Sequence, residues 1–368
     1  MALSSSATTA GAIGSQRPAV HRAHTGARLG QEKTCNLSFM SPDYVPGLVS
    51  IIIPTYDRPA YVVEALQSAF GQTYRPIELI VVDDGSTDNT AAVIDNWAKT
   101  TDGDKGFHFH YVRQEHKGAP AARNMGLRQS RGEYIVLHDS DDILDRNRIR
   151  LQVDRMRHTG ATLCGARLRF FPSGRGSNVW PQPSSDPLKD FLFGKLPCAT
   201  QAWMVKRELV IRSDGFDEEL ACRQDYDFSF RLMSCGPKIT FQPEAWTYVR
   251  EHNGGRITDK VLLPEGFGAL LRIHGRRAAV LKERSNRDEY LRVEAEACLA
   301  CAIQAHLRSY RNFTQEFVRL AKSLVQRPVW GDSWVKRSLF CIGGVSLCSM
   351  LKRVREVANT VFARVRLW

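Results

Sequence analysis

The chain of 368 residues contains no run of about eighteen continuous apolar residues, the length that a helix needs to cross a bilayer. The nearest approach is SLFCIGGVSLCSML at residues 338–351, which is too short and is flanked by basic residues. We expect this segment to be a buried helix or an anchor on a membrane surface, and not a span.

Acidic residues are missing from the beginning of the chain until Glu32, and so is the apolar stretch that a secretory signal needs. Residues 1–46 are rich in Ser, Ala, Thr, Gly and Arg, a composition that faintly resembles an organelle transit peptide. We interpret them as a disordered N-terminal leader.

The nine cysteines form no disulfide framework, and no second pair accompanies the CxxC of Cys298 and Cys301. A structural zinc site needs such pairs in tandem, so the spacing argues against zinc and favours free thiols. Free thiols are typical of a reducing compartment. We therefore expect a cytoplasmic protein, at most attached to the inner face of the membrane.

The chain also has few acidic residues relative to basic ones, and its formal net charge is +12. Such a balance favours anionic partners, which include nucleotides, nucleic acid and acidic membrane surfaces. Charge alone does not choose among them, since a solvated basic surface has the same balance. Of these partners we expect a nucleotide-bearing substrate and no nucleic acid.

From about residue 48 the sequence alternates regularly between two patterns. Continuous apolar runs, typical of strands buried on both faces, are each followed by a segment with helical spacing. This alternation predicts a mostly parallel sheet flanked by helices. The strand-like runs are LVSIIIP (48–54), IELIVVDD (77–84), FHFHYV (107–112) and EYIVLHD (133–139).

Polar residues follow three of these runs at the point where each run ends. Parallel strands present their carboxyl ends at one edge of a sheet, where α/β proteins bind ligands. We expect the polar residues to lie together there, which unrelated solvated turns would not explain. They are Thr55, Asp83, Asp84, Asp139 and Asp141.

The stretch LHDSDD at residues 137–142 places three carboxylates, Asp139, Asp141 and Asp142, at the end of the fourth run. Crowded carboxylates repel one another unless a cation joins them, and Asp-x-Asp suits the oxygen-preferring ions Mg²⁺ and Mn²⁺. Such an ion, completed by substrate phosphates, can stabilise a departing diphosphate. Arg123 could meet a phosphate at the same edge with its planar guanidinium, although a surface salt bridge is the ordinary alternative.

Five segments, in this order and spacing, resemble family 2 glycosyltransferases. VSIIIPTYDRP, IELIVVDDGSTDNT, GAPAARNMG and EYIVLHDSDD resemble the nucleotide-sugar-binding half of that family. GFDEELACRQDYDFSFRL (215–232) resembles the part that carries the catalytic base. The resemblance covers roughly residues 48–252 and implies the GT-A fold, an α/β fold with a mostly parallel nucleotide-binding sheet.

The resemblance also implies an organisation into domains. A GT-A domain is expected over residues 47–265, with a nucleotide-sugar donor half at 47–145 and an acceptor half at 146–265. The helical, basic pattern from residue 266 to 368 is expected to form a C-terminal extension.

Particular residues take roles by the same resemblance. Asp225 is implied to be the general base that deprotonates the acceptor hydroxyl, and Asp141 to be the main ligand of Mn²⁺ or Mg²⁺. His252 matches a metal or diphosphate position more loosely, and a polar turn residue is its alternative. Asp142 is expected to start the next helix or to support the ligands. The residues implied to bind the nucleotide-sugar, usually through uridine, are Pro54, Thr55, Tyr56, Asp57, Asp84, Arg123 and Asp139.

Two further residues are expected on the acceptor side. Gln224 stands where the family usually has glutamate, so it keeps hydrogen-bonding capacity but lacks the charge. Trp203, within GKLPCATQAWMVKR (194–207), either stacks on a sugar ring or lies in the core.

The implied reaction is a single displacement with inversion, from a UDP-sugar or similar donor to a hydroxyl of a glycan, polysaccharide or lipid-linked saccharide. Polysaccharide biosynthesis for a cell envelope is the setting that this suggests. A catalytically degenerate nucleotide-sugar-binding or scaffold protein of the same fold is the alternative, because of Gln224. A nucleotidyltransferase would need a glycine-rich, lysine-bearing loop where this chain has PTYDRPAYV.

The end of the chain, LKRVREVANTVFARVRLW, places apolar residues at roughly helical spacing between basic ones. Such a helix could lie on an anionic membrane, where lipid-linked acceptors reside. Packing on the catalytic domain or on a second subunit explains the pattern equally well.

Overall fold

The structure is a computed structural model that describes residues 44–101, 104–174, 184–251, 260 and 262–325. Three of the expectations above lie outside these residues. They concern nearly all of the leader at 1–46, the role of His252, and the end of the chain from residue 326 onward.

Four parallel strands form the first half of the central sheet, in the spatial order β3-β2-β1-β4. Every residue of β2 is buried, as expected for a strand covered by helices on both faces. The strands are β1 (Val45–Thr55), β2 (Ile77–Asp83), β3 (Phe107–Arg113) and β4 (Gly132–Leu137), so the four runs in the sequence are confirmed.

Helices follow these strands, as the alternating pattern predicts. Pro59 occupies the first turn of α1, where its missing N–H leaves no bond unmade, and Gly160 ends α4 in a left-handed conformation. The helices of this half are α1 (Pro59–Phe70), α2 (Thr90–Ala98), α3 (Ala119–Gln129) and α4 (Arg148–Thr159).

Four more strands extend the sheet beyond β4. β7 (Trp203–Lys206) runs antiparallel to both β4 and β6 (Leu163–Phe171). β8 (Ile239–Arg250) runs parallel to β6, and the short β5 (Ile143–Leu144) closes the edge antiparallel to β8. The described sheet therefore has eight strands in the order β3-β2-β1-β4-β7-β6-β8-β5.

The second half of the described chain is largely helical. None of the helices within the described ranges is both long and apolar enough to pass through a bilayer. The remaining helices are α5 (Pro187–Leu192), the 3₁₀ turn Thr200–Ala202, α6 (Arg207–Ser213), α7 (Gln224–Ser234), α8 (Pro264–Lys282), α9 (Arg287–Leu307) and α10 (Arg311–Leu324).

The continuous apolar run of β1 supplies both faces of the sheet. Ile51 and Ile53 point into one core cluster, and Ile52, between them, points into the other. The cluster around Ile52 continues through Phe228 of α7 to Phe267 of α8. The helices after residue 264 thus share a hydrophobic core with the helix that carries Asp225.

Candidate active site

The carboxyl ends of β1, β2 and β4 meet at one edge of the sheet. Thr55 pairs in register with Asp83, and the backbone N–H of His138, one residue before Asp139, donates to Ile52 O. The structure therefore brings Thr55, Asp84 and Asp139 to the same edge. Thr55 is 3% exposed, and its buried Oγ1 has no hydrogen-bond partner among the described residues.

An aromatic pair lies at the outer end of this edge. The ring of Tyr56 is 40% exposed and lies 4.1 Å from the ring of His116, centroid to centroid, at an interplanar angle of 33°. Asp57, next to it, accepts from the backbone N–H of Thr87 at 2.8 Å and so joins the loops that follow β1 and β2. A flat ring such as a nucleobase could stack at this position.

Asp84 is used by its own chain. Its carboxylate accepts from Gln114 Nε2 at 2.7 Å and from the backbone N–H groups of Lys117 and Gly118 at 2.9 and 2.7 Å, and it contacts His116 Nδ1 at 2.9 Å. These contacts occupy the oxygens of a side chain that is 2% exposed. We interpret Asp84 as organising the loop at 114–118, and a nucleoside contact would have to displace one of these donors.

Arg123 links the loop that follows β4 to the start of α7. Its Nη2 donates to Asp139 Oδ1 at 2.8 Å, and its Nη1 donates to Gln224 Oε1 at 3.3 Å and lies 3.8 Å from Asp225 Oδ1. Burial alone would lower the pKa of Arg123, but the carboxylates of Asp139 and Asp225 more than offset this and raise it. The guanidinium therefore stays charged between the loop after β4 and the start of α7.

Asp141 is paired with a residue that the sequence did not single out. Arg58 Nη1 donates to Asp141 Oδ2 at 2.9 Å, and Arg250 Nε donates to the backbone carbonyl of Asp141 at 3.1 Å. The backbone N–H of Arg250 also donates to Asp142 Oδ1 at 3.0 Å. Two guanidinium groups thus balance the charge at this end of the site.

The carboxylates here fit a divalent cation. Asp142 is 2% exposed, its Oδ2 has no hydrogen-bond partner among the described residues, and burial together with the charges of Asp139 and Asp141 raises its pKa. A nearby cation would relieve this repulsion. Carboxylate oxygens are the ligands that Mg²⁺ and Mn²⁺ prefer, so Asp141 with its two neighbours suits such an ion.

Asp225 lies in the first turn of α7, with 35% of its side chain exposed. Thr200 Oγ1 donates to its Oδ1 at 3.4 Å. Burial raises the pKa of Asp225; the charge of Arg123 lowers it and that of Asp139 raises it, and the net shift is upward. A carboxylate with a raised pKa is a better proton acceptor than an ordinary aspartate.

Two of the expected site residues are buried within strands of the sheet. Trp203 is 1% exposed on β7 and packs against Phe241, with ring centroids 5.7 Å apart. The expected acceptor-side role of Trp203 is therefore wrong in this structure, because its ring fills the core and has no surface for a sugar. Pro54 is buried within β1, opposite Val82, and acts as part of the sheet.

Sequence reasoning also missed two residues that shape the site. Gln201 Nε2 donates to Asp139 Oδ2 at 2.5 Å, from the 3₁₀ turn before β7. Asn124, beside Arg123, donates to Phe216 O at 2.9 Å and accepts from Phe216 N–H at 2.8 Å. The sequence signal that could have identified Asn124 is its place in AARNMG, directly after Arg123.

Known glycosyltransferases resemble this chain in sequence and in fold. The family model described as glycosyl transferase family 2 matches residues 50–213. The uncharacterised glycosyltransferase RT0329 of Rickettsia typhi is 31% identical over 231 residues, which cover 61% of this chain and 70% of that protein. Glycosyltransferase GlyG of Streptococcus pneumoniae serotype 4 is 41% identical over 103 residues, or 28% of this chain.

The segment matched to GlyG spans 33% of that protein. The chondroitin synthase of Escherichia coli is 29% identical over 202 residues, which span 27% of that protein. Among solved structures, Staphylococcus aureus TarS 1-349 in complex with UDP-GlcNAc superposes with a TM-score of 0.58 at 19% identity. That match covers 75% of this chain and 83% of the TarS chain. The fold is thus that of the GT-A glycosyltransferases, and the expected fold class is confirmed.

Proposed function

The chain belongs to glycosyl transferase family 2, and from this premise we propose that it moves a sugar from a nucleotide-sugar to an acceptor hydroxyl with inversion. One observation carries the proposal. Arg123 contacts Asp139 on the donor side and both Gln224 and Asp225 on the acceptor side, so the residues needed for the two substrates converge on one guanidinium.

The donor is proposed to be a UDP-sugar. Tyr56 and His116 offer aromatic rings for a nucleobase, and Thr55 offers a buried hydroxyl beside them. Arg123 and Arg58 bring guanidinium groups to the adjacent carboxylates, where a diphosphate would lie. Because the structure of TarS 1-349 has been solved in complex with UDP-GlcNAc, that compound is the first donor to test.

Asp141 is proposed as the main protein ligand of Mn²⁺ or Mg²⁺, with Asp139 and Asp142 beside it and His252 implied only by resemblance. When bound, such an ion stabilises negative charge that develops on a departing diphosphate. Arg123 supplies charge of the same sign from the protein and fixes the orientation of Asp139.

Asp225 is proposed as the general base. Its carboxylate accepts the proton of the acceptor hydroxyl while the acceptor oxygen forms a bond to the anomeric carbon. The bond from that carbon to the diphosphate breaks on the opposite side, and the nucleoside diphosphate leaves with the bonding electrons. The anomeric configuration inverts because bond formation and bond cleavage take place on opposite faces.

The acceptor is proposed to be a glycan, polysaccharide or lipid-linked saccharide in the building of a cell envelope, and the transferred sugar a hexose or a related residue. The similarity to a chondroitin synthase, 29% identical over 202 residues, makes a polysaccharide chain the first acceptor to test. We propose that the protein works in the cytoplasm, with contact to the inner face of the membrane as an option for lipid-linked acceptors.

A second candidate function is a binding or scaffold protein without catalysis. Gln224 favours it, because a neutral amide contacts Arg123 where the family usually has a carboxylate. The two functions differ in turnover and not in nucleotide binding.

The experiment that tests the proposal is a donor screen with Mn²⁺ across UDP-, GDP- and dTDP-sugars. Thermal shift measures binding, and release of nucleoside diphosphate measures turnover, with chondroitin oligosaccharides among the acceptors. Turnover that requires both Mn²⁺ and an acceptor supports the transferase. Binding without turnover supports the scaffold function, and binding of none of the compounds overturns both.

A further inference from the structure

We propose that Arg276 of α8 is a positioning residue for Asp225, which it holds in place through the two carboxylates of Asp217 and Asp227. The inference rests on the proposed role of Asp225 as base. It assigns to the helices after residue 264 a direct part in the geometry of the catalytic site.

Asp227 ties the start of α7 to α8. It lies two residues after Asp225, is fully buried, and accepts from Arg276 Nη1 at 3.0 Å and from Arg231 Nε at 2.9 Å. A buried carboxylate that loses a partner is strongly destabilised. The first turn of α7 therefore cannot move away from Arg276 at low cost.

The same guanidinium holds the loop that precedes α7. Arg276 Nη2 donates to Asp217 Oδ2 at 2.5 Å, and Arg272 Nε donates to the same oxygen at 2.8 Å. Burial alone would raise the pKa of Asp217, but the hydrogen bonds from Arg272 and Arg276 outweigh it and lower the pKa to about 2. One side chain thus joins the loop and the helix on either side of Asp225 in sequence.

The opposite side of this loop is held by the donor half. Asn124 exchanges two hydrogen bonds with the backbone of Phe216, whose ring stacks on Phe228 at a centroid distance of 4.3 Å. The guanidinium carbon of Arg123 lies 5.3 Å from the centre of the Phe216 ring. The segment from residue 216 to 227 is therefore clamped between α3 and α8.

Asp225 itself is held less firmly than its neighbours. Its contacts to Arg123 and Thr200 are 3.8 and 3.4 Å long. Arg223, at the beginning of α7, has φ of 61°, a conformation that a non-glycine residue rarely adopts without outside support. We attribute the position of the Asp225 carboxylate to the residues that fix its backbone, and Arg276 contacts both Asp217 before it and Asp227 after it.

A second buried network extends this hold from α8 to α9. Arg277 donates to the hydroxyl of Tyr226 and pairs with Glu294 at 2.8 Å, and His274 Nδ1 lies 2.6 Å from the other oxygen of Glu294. His274, Glu294 and Cys298 together have the composition of a metal site. The Arg277 guanidinium already supplies a positive charge to Glu294, so we interpret the group as a structural network.

The test compares Arg276→Met with Arg284→Met in the full chain. Arg284 is the matched control, because its Nη2 donates at 2.6 Å to the backbone carbonyl of Ser234, which is the last residue of α7 and lies at the opposite end of that helix from Asp225. We expect Arg276→Met to increase hydrogen exchange of the backbone amides at 216–228, and Arg284→Met to increase it only near the end of α7. Unchanged exchange at 216–228 in Arg276→Met would overturn the proposal whether or not the enzyme is active.

Kinetics separate positioning from simple stabilisation. With the donor found by the screen, Arg276→Met should lower kcat by about tenfold to a hundredfold, since a displacement of about 1 Å has such an effect. The Kd for UDP with Mn²⁺ should stay within about twofold, and Arg276→Lys should recover part of kcat because it keeps one of the two contacts. If Arg276→Met increases hydrogen exchange at 216–228 but leaves kcat unchanged, Arg276 does not position Asp225 for catalysis.

The two proposals fail in different ways. A wild-type protein that turns over no donor counts against the transferase, and exchange at 216–228 then decides alone whether Arg276 holds the segment. A wild-type protein that is active, together with an Arg276→Met variant of equal kcat, counts against Arg276 only.

Discussion

Arg58 and Asp141 form a salt bridge of 2.9 Å between Nη1 and Oδ2, so a guanidinium holds the carboxylate proposed as the main metal ligand. Both side chains are partly exposed, at 28% and 19%. Arg58 supplies positive charge to a cluster of carboxylates that also includes Asp139 and Asp142. A divalent cation that approaches Asp141 has to compete with this guanidinium.

We therefore expect Arg58→Met to bind Mn²⁺ more tightly than the wild type in the absence of nucleotide. A partly exposed ion pair contributes up to about 1 kcal/mol, which corresponds to an increase in affinity of about threefold to fivefold. Titration of Mn²⁺ followed by electron paramagnetic resonance measures this. The control is Arg113→Met, because Arg113 Nη2 donates to the backbone carbonyl of Ser86. Equal or weaker Mn²⁺ binding in Arg58→Met would show that no competition takes place.

Asp225→Asn should lose transfer and keep donor binding. Asparagine has the same shape but cannot accept the acceptor proton, so kcat should fall by about a hundredfold to ten-thousandfold. The Kd for UDP with Mn²⁺ should be unchanged, because Asp225 faces the acceptor side in the proposed mechanism. Calorimetry and a coupled assay for nucleoside diphosphate measure the two quantities. Asp95→Asn, on the exposed face of α2, is the control, and a fully active Asp225→Asn would remove Asp225 from the base role.

The pH dependence of kcat should report the environment of Asp225. Only the ionised form accepts a proton, so kcat at saturating donor should fall on the acid side with an apparent pKa above that of an ordinary aspartate. Asp139 raises this pKa, and Asp139→Asn should therefore shift the acid limb to lower pH. A shift in the opposite direction, or none, would mean that another group controls the acid limb.

The parallel half of the sheet and the edge at which its polar residues lie could be predicted from the sequence, because they depend on local patterns. Apolar runs such as β1 and β2 predict buried strands, and the polar residues after them fall at one edge by geometry alone. The antiparallel insertion of β7 between β4 and β6 has no such local signal. This insertion places Trp203 in the core, one of the two positions that the sequence left open.

Most contacts within the site join residues that are far apart in sequence. Arg58 and Asp141 are 83 residues apart, and Asn124 and Phe216 are 92 apart. Neither pair has a sequence feature that selects one partner over the many other charged or polar residues of the chain. The residue types at the polar edge were therefore predictable, but the pairing of Arg58 with Asp141 and the contacts of Arg276 with Asp217 and Asp227 were not.

Asp217 should contribute to stability in a pH-dependent way. Its folded pKa of about 2 lies below its ordinary value, so its contribution is present above about pH 4 and is lost as the pH falls toward 2. Asp217→Asn should lower the free energy of unfolding by about 1–2 kcal/mol at pH 7, after allowance for solvent screening, and by much less near pH 2. Urea denaturation at several pH values measures this.

The control for that measurement is Glu219→Gln, because Glu219 also pairs with Arg272 but is 72% exposed. An exposed pair of this kind contributes little, so the control should change stability by less than about 0.5 kcal/mol. An Asp217→Asn variant with wild-type stability at pH 7 would show that the two arginines do not stabilise its carboxylate.

Asp84 could contact the nucleoside directly or could shape the loop at 114–118, and a variant distinguishes these two roles. Gly85, with φ of 82°, lies so close to the loop at 114–118 that a Cβ there would be 2.9 Å from His116 N, and Asp84 accepts from several donors of this loop. If Asp84 shapes the loop, Asp84→Asn should increase hydrogen exchange at 114–118 even without nucleotide, since its amide nitrogen cannot accept from the backbone. Gln114→Leu removes one of the hydrogen bonds to Asp84. It should therefore also loosen the loop, and weaken UDP binding by about twofold to tenfold. Normal exchange in Asp84→Asn together with lost UDP binding would instead favour a direct contact to the nucleoside.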